Sequence, residues 1–449
     1  VVAPIVAWHQ ATLRQRADSL VIEKDELLKE RDGLITRLET AAEETQSAKL
    51  RLEDSSESLR QQLVKMYVDR GNAEATNGHS VAALPWYAAA LSMDKRDNGL
   101  EWPHRFRIAS VLSNSPDPLH LFRPKAGPKF VDLSPNGELV ASNDDQRSFV
   151  VWTTGTGEVV FGPKKTKSRV SAIQFAPDGQ HLAVAYSRYV DIWHLASRQT
   201  TRLKISARSS VIEVCFDQDG EFVAVGFRDG AAHLYDRATG ERIHEFEKQP
   251  ERVRQILIDS KRNRMVSLTD SHAANLFELD SGTLIARLKH DDAVLSFDLD
   301  HQAGRVATAS DDGIVKLWDV QTGERDGSPI AHPDRLRVVR FAPSGRHLAT
   351  GCYDSAARVW NVTTGELIAG PLQHQNSVAK VDFSSDGRYL VTSSVDHTAR
   401  IWDTETGEQA SHAMQHRHLV SQARFLPEDD RIMTVSGDGL IRIWEYQPN

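Results

Sequence analysis

A histidine, a threonine and an aspartate recur in a fixed order in the C-terminal part of this chain. In the set that begins at His374, Thr392 follows 18 residues later and Asp396 four residues after that. The same spacing occurs four times, at His290, Thr308, Asp312, His332, Thr350, Asp354, His374, Thr392, Asp396, His416, Thr434 and Asp438. When a carboxylate orients an imidazole that activates a hydroxyl, these residue types perform nucleophilic catalysis. An active site occurs once in a chain, however, so repetition at one spacing favours a structural role.

A tryptophan follows each of these aspartates after six residues and belongs to a longer series. The series has eight aromatic positions separated by 41 or 42 residues: Trp152, Trp193, Tyr235, Phe277, Trp318, Trp360, Trp402 and Trp444. A buried indole N–H, hydroxyl, imidazole and carboxylate can satisfy one another in one line of hydrogen bonds. We therefore interpret the four sets as structural tetrads and predict that the chain is not an enzyme and has no catalytic residue.

The elements that must position these side chains are short strands. In the seventh unit, residues 377–383 alternate apolar and polar side chains, a turn follows at Gly387, and residues 389–393 and 398–402 continue as strands. Alternation bounded by tight turns indicates antiparallel hairpins. A repeat in the low forties that contains four short strands predicts one blade of a β-propeller.

The four tetrads resemble the blades of the WD-repeat (WD40) family, which carry a tryptophan, a threonine or serine, a histidine and an aspartate. The resemblance implies an all-β propeller of eight four-stranded WD40 blades, with seven blades and one displaced unit as the alternative. Units one to four keep the strand pattern but lose the tetrad, for example at Ala183 and Gln249, so we expect mainly apolar packing between them. The last unit lacks an outer strand. Residues 119–123 are predicted to supply it and so to remove an unpaired sheet edge.

Residues 1–66 have a different pattern, typical of an α-helical coiled-coil stalk. Leucine recurs every seven residues among many charged side chains, at Leu13, Leu20, Leu27 and Leu34. Such a heptad predicts helix pairing, and hence a homodimer through the coiled coil. Gly33 is expected to interrupt the helix. A solvated single helix, stabilised by charged pairs, is the alternative.

Residues 67–113 are predicted to be a short helical connector, and residues 114–449 the propeller. The connector matches one tetratricopeptide repeat at Tyr67, Gly71, Ala83, Tyr87 and Ala90. In that motif small residues allow two helices to touch and aromatic residues fill the space beside them. A single repeat of this kind resembles the family only locally.

Composition gives no reason to expect nucleic-acid binding, because the formal net charge is −8 and the isoelectric point is near 6.1. His412, His416 and His418 crowd one loop, but no cysteine or acid completes a ligand spacing there. A phosphate-binding GxxxxGK motif is also absent from the sequence. We therefore predict no metal and no cofactor.

The order of the parts resembles the region that follows the membrane helix in large bacterial WD-repeat proteins, some of which begin with a serine/threonine kinase domain. Residues 1–8 (VVAPIVAW) are apolar and resemble the end of a membrane helix, with an ordinary helix start as the alternative. The resemblance implies a bacterial protein that is anchored in a membrane only through a segment upstream of Val1. The chain contains no glycine-rich kinase loop, no HRD and no DFG.

The function these observations favour is a non-catalytic scaffold that binds a protein or peptide through one face of the ring. The alternative is the sensory or regulatory half of a membrane-anchored bacterial kinase. Binding residues concentrate on loops that a rigid scaffold presents. We predict that partners contact Arg169, Arg252, Arg335, Asn376, Arg417 and His418 in one set of loops, and Arg228, Asp311, Tyr353 and His397 in the other.

Overall fold

The computed structural model of this chain describes residues 2–76, 80–94, 108, 118–125, 127–145, 147–166, 168–206, 208–428 and 430–446. The chain divides into two compact units, one of Val1–Asn72 and Pro85–Phe106 and the other of Ala73–Leu84 and Arg107–Asn449. Most of the second half of the predicted connector, including the expected boundary at residue 114, lies outside the described residues.

The N-terminal region contains two helices, α1 (Val2–Thr76) and α2 (Ser80–Asp94). α1 passes through Gly33 without a break, so the expected interruption is wrong; one glycine costs a helix only about 1 kcal/mol. The helix also continues past residue 66, where we expected the stalk to end. Its heptad leucines are exposed in the single chain, with Leu20 64% and Leu27 60% accessible. The coiled coil therefore stays a prediction.

The end of α1 packs on α2 through the residues that match the tetratricopeptide spacing. A Cβ atom at Gly71 would lie 2.5 Å from Tyr87 Cε1, so only glycine allows this approach. The Tyr87 hydroxyl donates to Asn72 Oδ1 at 2.8 Å, and the Tyr67 and Trp86 rings lie 6.0 Å apart. The side chain of Ala83 lies outside the described residues. In the part of the chain that is described, no helix has a stretch long and apolar enough to cross a bilayer.

The rest of the described chain forms 32 strands and one short 3-10 helix, Ser260–Arg262. The first strand is β1 Pro118–Phe122, and blades one to three follow: in blade one, β2 Val131–Leu133, β3 Leu139–Asp145, β4 Ser148–Thr153 and β5 Val159–Lys165; in blade two, β6 Val170–Phe175, β7 His181–Tyr186, β8 Val190–His194 and β9 Thr200–Arg202; in blade three, β10 Val211–Phe216, β11 Phe222–Phe227, β12 Ala232–Asp236 and β13 Arg242–Glu245. Blades four to six contain, in blade four, β14 Val253–Asp259, β15 Arg264–Thr269, β16 Ala273–Glu278 and β17 Leu284–Lys289; in blade five, β18 Val294–Asp300, β19 Arg305–Ser310, β20 Ile314–Asp319 and β21 Ile330–Ala331; in blade six, β22 Leu336–Phe341, β23 His347–Cys352, β24 Ala356–Asn361 and β25 Leu367–Gln373. The last two blades contain, in blade seven, β26 Val378–Phe383, β27 Tyr389–Ser394, β28 Thr398–Asp403 and β29 Met414–Gln415; in blade eight, β30 Val420–Phe425, β31 Arg431–Ser436 and β32 Ile441–Glu445.

These strands make eight four-stranded antiparallel sheets, which confirms the eight-bladed propeller. Each blade uses its strands in chain order, except the last, whose order is β1, β32, β31 and β30. The outer strand of blade eight is therefore β1, with Phe122 opposite Ile441 and His120 opposite Ile443. The first and last strands of the propeller share one sheet, as predicted, and the ring closes without leaving β32 unpaired.

Packing between the early blades is only partly the apolar kind we expected. Between blades one and two, Phe149, Phe161 and Trp193 form an aromatic cluster with ring centroids 5.4 to 5.9 Å apart. In blade four, Gln249 is buried and its Oε1 accepts hydrogen bonds from Ser267 Oγ at 2.7 Å and Asn275 Nδ2 at 2.8 Å. Blade four thus has a polar network of its own that does not follow the tetrad template, although Gln249 Nε2 is buried without a hydrogen-bond partner among the described residues.

Candidate protein-interaction face

Blades five and seven contain complete hydrogen-bonded tetrads. In blade five, Trp318 Nε1 donates to Thr308 Oγ1 at 2.8 Å, Thr308 Oγ1 lies 2.7 Å from His290 Nε2, and His290 Nδ1 lies 2.9 Å from Asp312 Oδ2. The same distances in blade seven, through Trp402, Thr392, His374 and Asp396, are 2.9, 2.7 and 2.8 Å. Burial lowers the pKa of His290. Burial would raise the pKa of Asp312, but the hydrogen bond and charge of His290 and the backbone N–H groups of Ile314 and Asp291 together lower it.

Blade six lacks the bond between histidine and aspartate that we predicted. His332 Nε2 still lies 2.9 Å from Thr350 Oγ1, to which Trp360 donates at 3.0 Å. The Asp354 carboxylate instead accepts from Arg358 Nη2 at 2.6 Å. His332 Nδ1 is buried and has no hydrogen-bond partner among the described residues. Burial, followed by the charge of Arg358, lowers the pKa of His332 to about 4.

Blade eight departs from the template in the same way. His416 Nε2 lies 2.8 Å from Thr434 Oγ1, to which Trp444 donates at 2.8 Å. Arg442 Nη2 lies 2.7 Å from Asp438 Oδ2, and His416 Nδ1 lies 3.0 Å from the Met414 carbonyl oxygen. The predicted hydrogen bond from His416 to Asp438 is therefore also absent from the structure.

The residues two and four positions before the tryptophan explain which blades keep the full tetrad. Blades six and eight have an arginine two positions before the tryptophan, and its guanidinium donates a hydrogen bond to the aspartate in place of the histidine. Blade five has Lys316 there, whose Nζ donates to the Lys289 carbonyl at 3.0 Å. Blade seven has Arg400, but the hydroxyl of Thr398 donates to Asp396 at 2.7 Å and keeps the arginine away from it.

The tetrads join two sets of loops on one side of the ring, which we call the loop face. The loop face consists of the loops before each innermost strand, such as residues 290–293, and the turns between the second and third strands, such as residues 311–313. The Asp396 carboxylate illustrates the connection, because it accepts the backbone N–H of Gln375 at 2.9 Å from one set and of Thr398 at 2.9 Å from the other. Thr308 and Thr392 are fully buried. The tetrads therefore stabilise the loop face and present no hydroxyl to solvent.

A second repeated position also ties these loops together, and sequence reasoning missed it. Ser394 Oγ donates to the Asn376 carbonyl at 2.9 Å and accepts the Asp396 N–H at 3.0 Å. The equivalent residues, eight positions before the tryptophans, are Ser310, Cys352, Ser394 and Ser436. Counting at this offset in the sequence would have found them.

Three of the predicted contact residues meet where blades five and six adjoin. The Arg335 guanidinium lies 4.5 Å from the centre of the Tyr353 ring. Arg337, which we did not predict, lies 5.8 Å from the same ring. Asp311 Oδ1 is buried without a hydrogen-bond partner in the described residues. Burial raises the pKa of Asp311, and the charge of Arg335 opposes that effect.

Two other pairs form elsewhere on the loop face. The His397 and His418 rings stack with centroids 5.8 Å apart and an interplanar angle of 11°, across the boundary between blades seven and eight. Arg252 is hydrogen-bonded to Asp270, a residue we did not predict, and Arg254 lies 3.5 Å from the same carboxylate.

The remaining predicted residues join none of these clusters. Arg169, Arg228 and Arg417 are exposed. Asn376 is exposed as well, and its Oδ1 accepts the backbone N–H of Ser377 at 2.7 Å, so it orders its own loop. Within the described residues, no group of three or more histidine, cysteine, aspartate or glutamate side chains is arranged to hold a metal ion.

Comparison with known proteins agrees with this architecture. The family described as "WD domain, G-beta repeat" matches residues 282–319, 325–361, 366–403 and 409–445, and the family "Anaphase-promoting complex subunit 4 WD40 domain" matches residues 190–261. The chain is similar to the COMPASS component SWD3 of Saccharomyces cerevisiae, with 21% identity over 158 residues that cover 34% of this chain and 50% of that protein. It is also similar to eukaryotic translation initiation factor 3 subunit I of Aspergillus terreus, with 31% identity over 165 residues that cover 32% of this chain and 48% of that protein. The chain thus spans half or less of the length of these relatives.

Solved structures share the fold. The computationally designed Ika8 protein superimposes with a TM-score of 0.63 at 21% identity and covers 74% of this chain and 98% of its own. A chain of the mitotic checkpoint complex superimposes with a TM-score of 0.53 at 18% identity, covering 73% of this chain and 91% of its own. With WD40 repeats matched in blades five to eight and an eight-bladed ring observed, the chain belongs to the WD-repeat β-propeller family.

Proposed function

We propose that this protein is a non-catalytic scaffold that binds a protein or peptide through the loop face. The observation that carries the proposal is the cluster of Asp311, Arg335, Tyr353 and Arg337, held at the junction of two blades. Two relatives are named as a component or subunit of a larger assembly, which supports an interaction role for this chain.

The chemistry of this cluster suits a protein partner. Arginine and tyrosine are enriched among the residues that contribute most to protein interfaces, where they bury a large surface at a low entropic cost. Arg335 is exposed while its guanidinium rests on Tyr353, so the side chain is held in place before a partner arrives. Asp311 Oδ1 is buried without a hydrogen-bond partner among the described residues, so a partner would reach it only after the side chain rotates. The cluster therefore supplies an aromatic surface and a cation within one patch.

The proposal is tested by affinity purification of the full chain from its natural host, with quantitative mass spectrometry of the bound proteins. Arg335→Glu should deplete a reproducible set of partners. The matched control is Arg388→Glu, because Arg388 also rests on a tyrosine, Tyr389, at 5.2 Å but lies in the turn between the first two strands of blade seven. This control should keep the partners. Loss of partners with the control alone would place binding elsewhere, and the absence of any reproducible partner would contradict a scaffold.

We also propose that the heptad leucines of α1 pair two copies of the chain. Four exposed leucines at a seven-residue spacing support this, and two propellers on one stalk would bind a repeated partner with avidity. The alternative function, as part of a membrane-anchored bacterial kinase, rests on the order of the parts alone. The relatives reported above are eukaryotic proteins.

A further inference from the structure

The central channel contains a ring of alternating charges, which we call the lower ring. It consists of one residue from the innermost strand of five successive blades: Asp298, Arg340, Asp382, Arg424 and Asp132. Arg340 lies 3.3 Å from Asp298 and 3.6 Å from Asp382, and Arg424 lies 3.0 Å from Asp132. Asp132 and Asp298 each also accept a backbone N–H of the following blade at 2.8 Å. The charges of the lower ring therefore satisfy one another.

Lys380 lies two residues before Asp382 on β26, closer to the loop face, and has no such partner. No carboxylate forms an ion pair with its ammonium group in the described part of the chain, and the side chain is exposed to the channel. Although Lys380 is open to the channel, the protein atoms that surround the channel displace water from its ammonium group. This desolvation and the charges of Arg340, Arg424 and Arg337 lower the pKa of Lys380 to about 8. Three guanidinium groups therefore act on Lys380, and the charge of Asp298 opposes them.

The wall contains a recess of about 170 Å³ beside Lys380. Its polar lining comes from Gln255, Ser296, Arg340, Lys380, Asp382, Gln422 and Arg424. Gln422 Oε1 is buried without a hydrogen-bond partner among the described residues, and rotation of this amide would present its NH2 group instead. A guanidinium has five N–H donors, so Arg340 and Arg424 retain donors beyond those directed at the lower-ring carboxylates.

The wider channel around the recess is also rich in cations. This cavity of about 550 Å³ is lined by five basic side chains, Lys129, Arg254, Arg340, Lys380 and Arg424, and by the two acids Asp132 and Glu213. Asp132 is already paired with Arg424. Burial raises the pKa of Glu213 to about 8, and the charge of Lys380 opposes that effect. The channel therefore attracts anions.

We propose that the recess binds a small oxyanion, a phosphate or carboxylate group, with the Lys380 ammonium as its principal contact and the Gln422 amide as a second donor. Arg340 and Arg424 flank the site on the neighbouring blades. An oxyanion here would supply a negative charge opposite Lys380. It would also accept hydrogen bonds from the N–H groups of Arg340 and Arg424 that are not directed at the carboxylates of the lower ring. This site is separate from the loop-face cluster at Arg335 and does not depend on a protein partner.

The test uses inorganic phosphate and the full chain. Isothermal titration calorimetry should show saturable binding, and phosphate should raise the midpoint of thermal unfolding relative to sodium chloride at equal ionic strength. Lys380→Gln should weaken binding at least tenfold, whereas Lys380→Arg should preserve it. Lys248→Gln is the matched control, because Lys248 is an exposed lysine already paired with Asp229 at 2.9 Å. Equal binding by wild type and Lys380→Gln would overturn the proposal.

A second variant keeps the test valid if Lys380→Gln does not fold. Gln422→Glu has nearly the same shape and adds a negative charge to the recess, so it should abolish phosphate binding while the propeller remains intact by circular dichroism. Acetate distinguishes the two sources of the anion. Competition by acetate at similar concentrations indicates a site for carboxylates, including acidic side chains of a partner, whereas phosphate binding without competition indicates a site for free phosphate. Failure of both anions to bind would refute the site.

Discussion

The contrast between blades six and seven provides a direct test of what a complete tetrad contributes. His374→Ala removes an imidazole that contacts both Thr392 and Asp396, at 2.7 and 2.8 Å. His332→Ala removes the same imidazole from blade six, where among the described residues its ring is hydrogen-bonded to Thr350 alone. Both changes delete equal volume and one hydrogen bond to threonine. The two variants therefore differ by the bond to Asp396, by a longer contact between His374 Nδ1 and Thr398 Oγ1 at 3.3 Å, and by the buried, unpaired Nδ1 that His332→Ala removes.

That bond is to a charged and nearly inaccessible group, because the side chain of Asp396 is only 3% exposed. Hydrogen bonds to charged groups contribute about 1.5–3 kcal/mol. After the substitution, Asp396 would still accept hydrogen bonds from the N–H groups of Gln375 and Thr398 and from the Thr398 hydroxyl. The carboxylate would therefore not be left without hydrogen-bond donors. We expect His374→Ala to cost about 1.5–3 kcal/mol more than His332→Ala in the free energy of unfolding.

Chemical denaturation of both variants and of wild type at pH 7 measures this difference. The pH dependence provides an independent check. Burial would raise the pKa of Asp396, but the hydrogen bond and charge of His374, together with the hydrogen bonds from Gln375 and Thr398, hold the pKa below its usual 3.8. A lowered folded pKa contributes stability above pH 3.8 that is lost as the pH falls further. The gap between the variants should therefore shrink below about pH 4. Equal costs for both at neutral pH would refute the role of the aspartate.

Three further predictions follow from the same contacts and from the ends of the fold. Arg358→Lys gives blade six the lysine that blade five has at this position, so Asp354 should form a hydrogen bond with His332 instead of residue 358. The pKa of His332 should then rise from about 4, as measured by NMR titration. An unchanged pKa would contradict the idea that arginine and histidine compete for the aspartate. A chain beginning at Gly127 lacks β1 and should aggregate through the exposed edge of β32, whereas solubility equal to that of the full chain would mean that β32 needs no cover. Replacing Leu20 and Leu27 with lysine should convert a sedimenting dimer to a monomer without changing propeller stability; a monomeric wild type would leave α1 as a single solvated helix.

The architecture of the propeller could be predicted from the sequence because its signals are local and repeated. The aromatic period and the glycine turns define each blade, and the missing outer strand after Trp444 indicates that residues before the first blade must complete the ring. Helix continuity at Gly33 was missed because a single glycine weakens a long helix too little to end it. The polar network around Gln249 was missed because its residues follow no repeated template.

The tetrads show why a repeated motif is not enough to predict a repeated bond. All four aspartates occupy the same place in the sequence, but in blades six, seven and eight an arginine on the next strand can compete with the histidine for the aspartate, whereas blade five has Lys316 there. The outcome depends on a neighbour, since Thr398 keeps Arg400 away from Asp396 while blade six has Ala356 in the position of Thr398. Charge-assisted bonds to arginine are strong enough to win that competition when nothing blocks them.

The same comparison between repeats separates the scaffold from the candidate binding residues. The tetrad threonines, which are identical in blades five to eight, are buried and hold each blade together. Lys380 occupies a position where the neighbouring blades have Ser296, Val338 and Gln422. A side chain in the channel that differs from its repeats is not needed to build a blade, because its neighbours form equivalent blades without it. Its charge, which the described carboxylates leave without an ion pair, is therefore better explained by a ligand than by folding, and the phosphate titration examines that explanation directly.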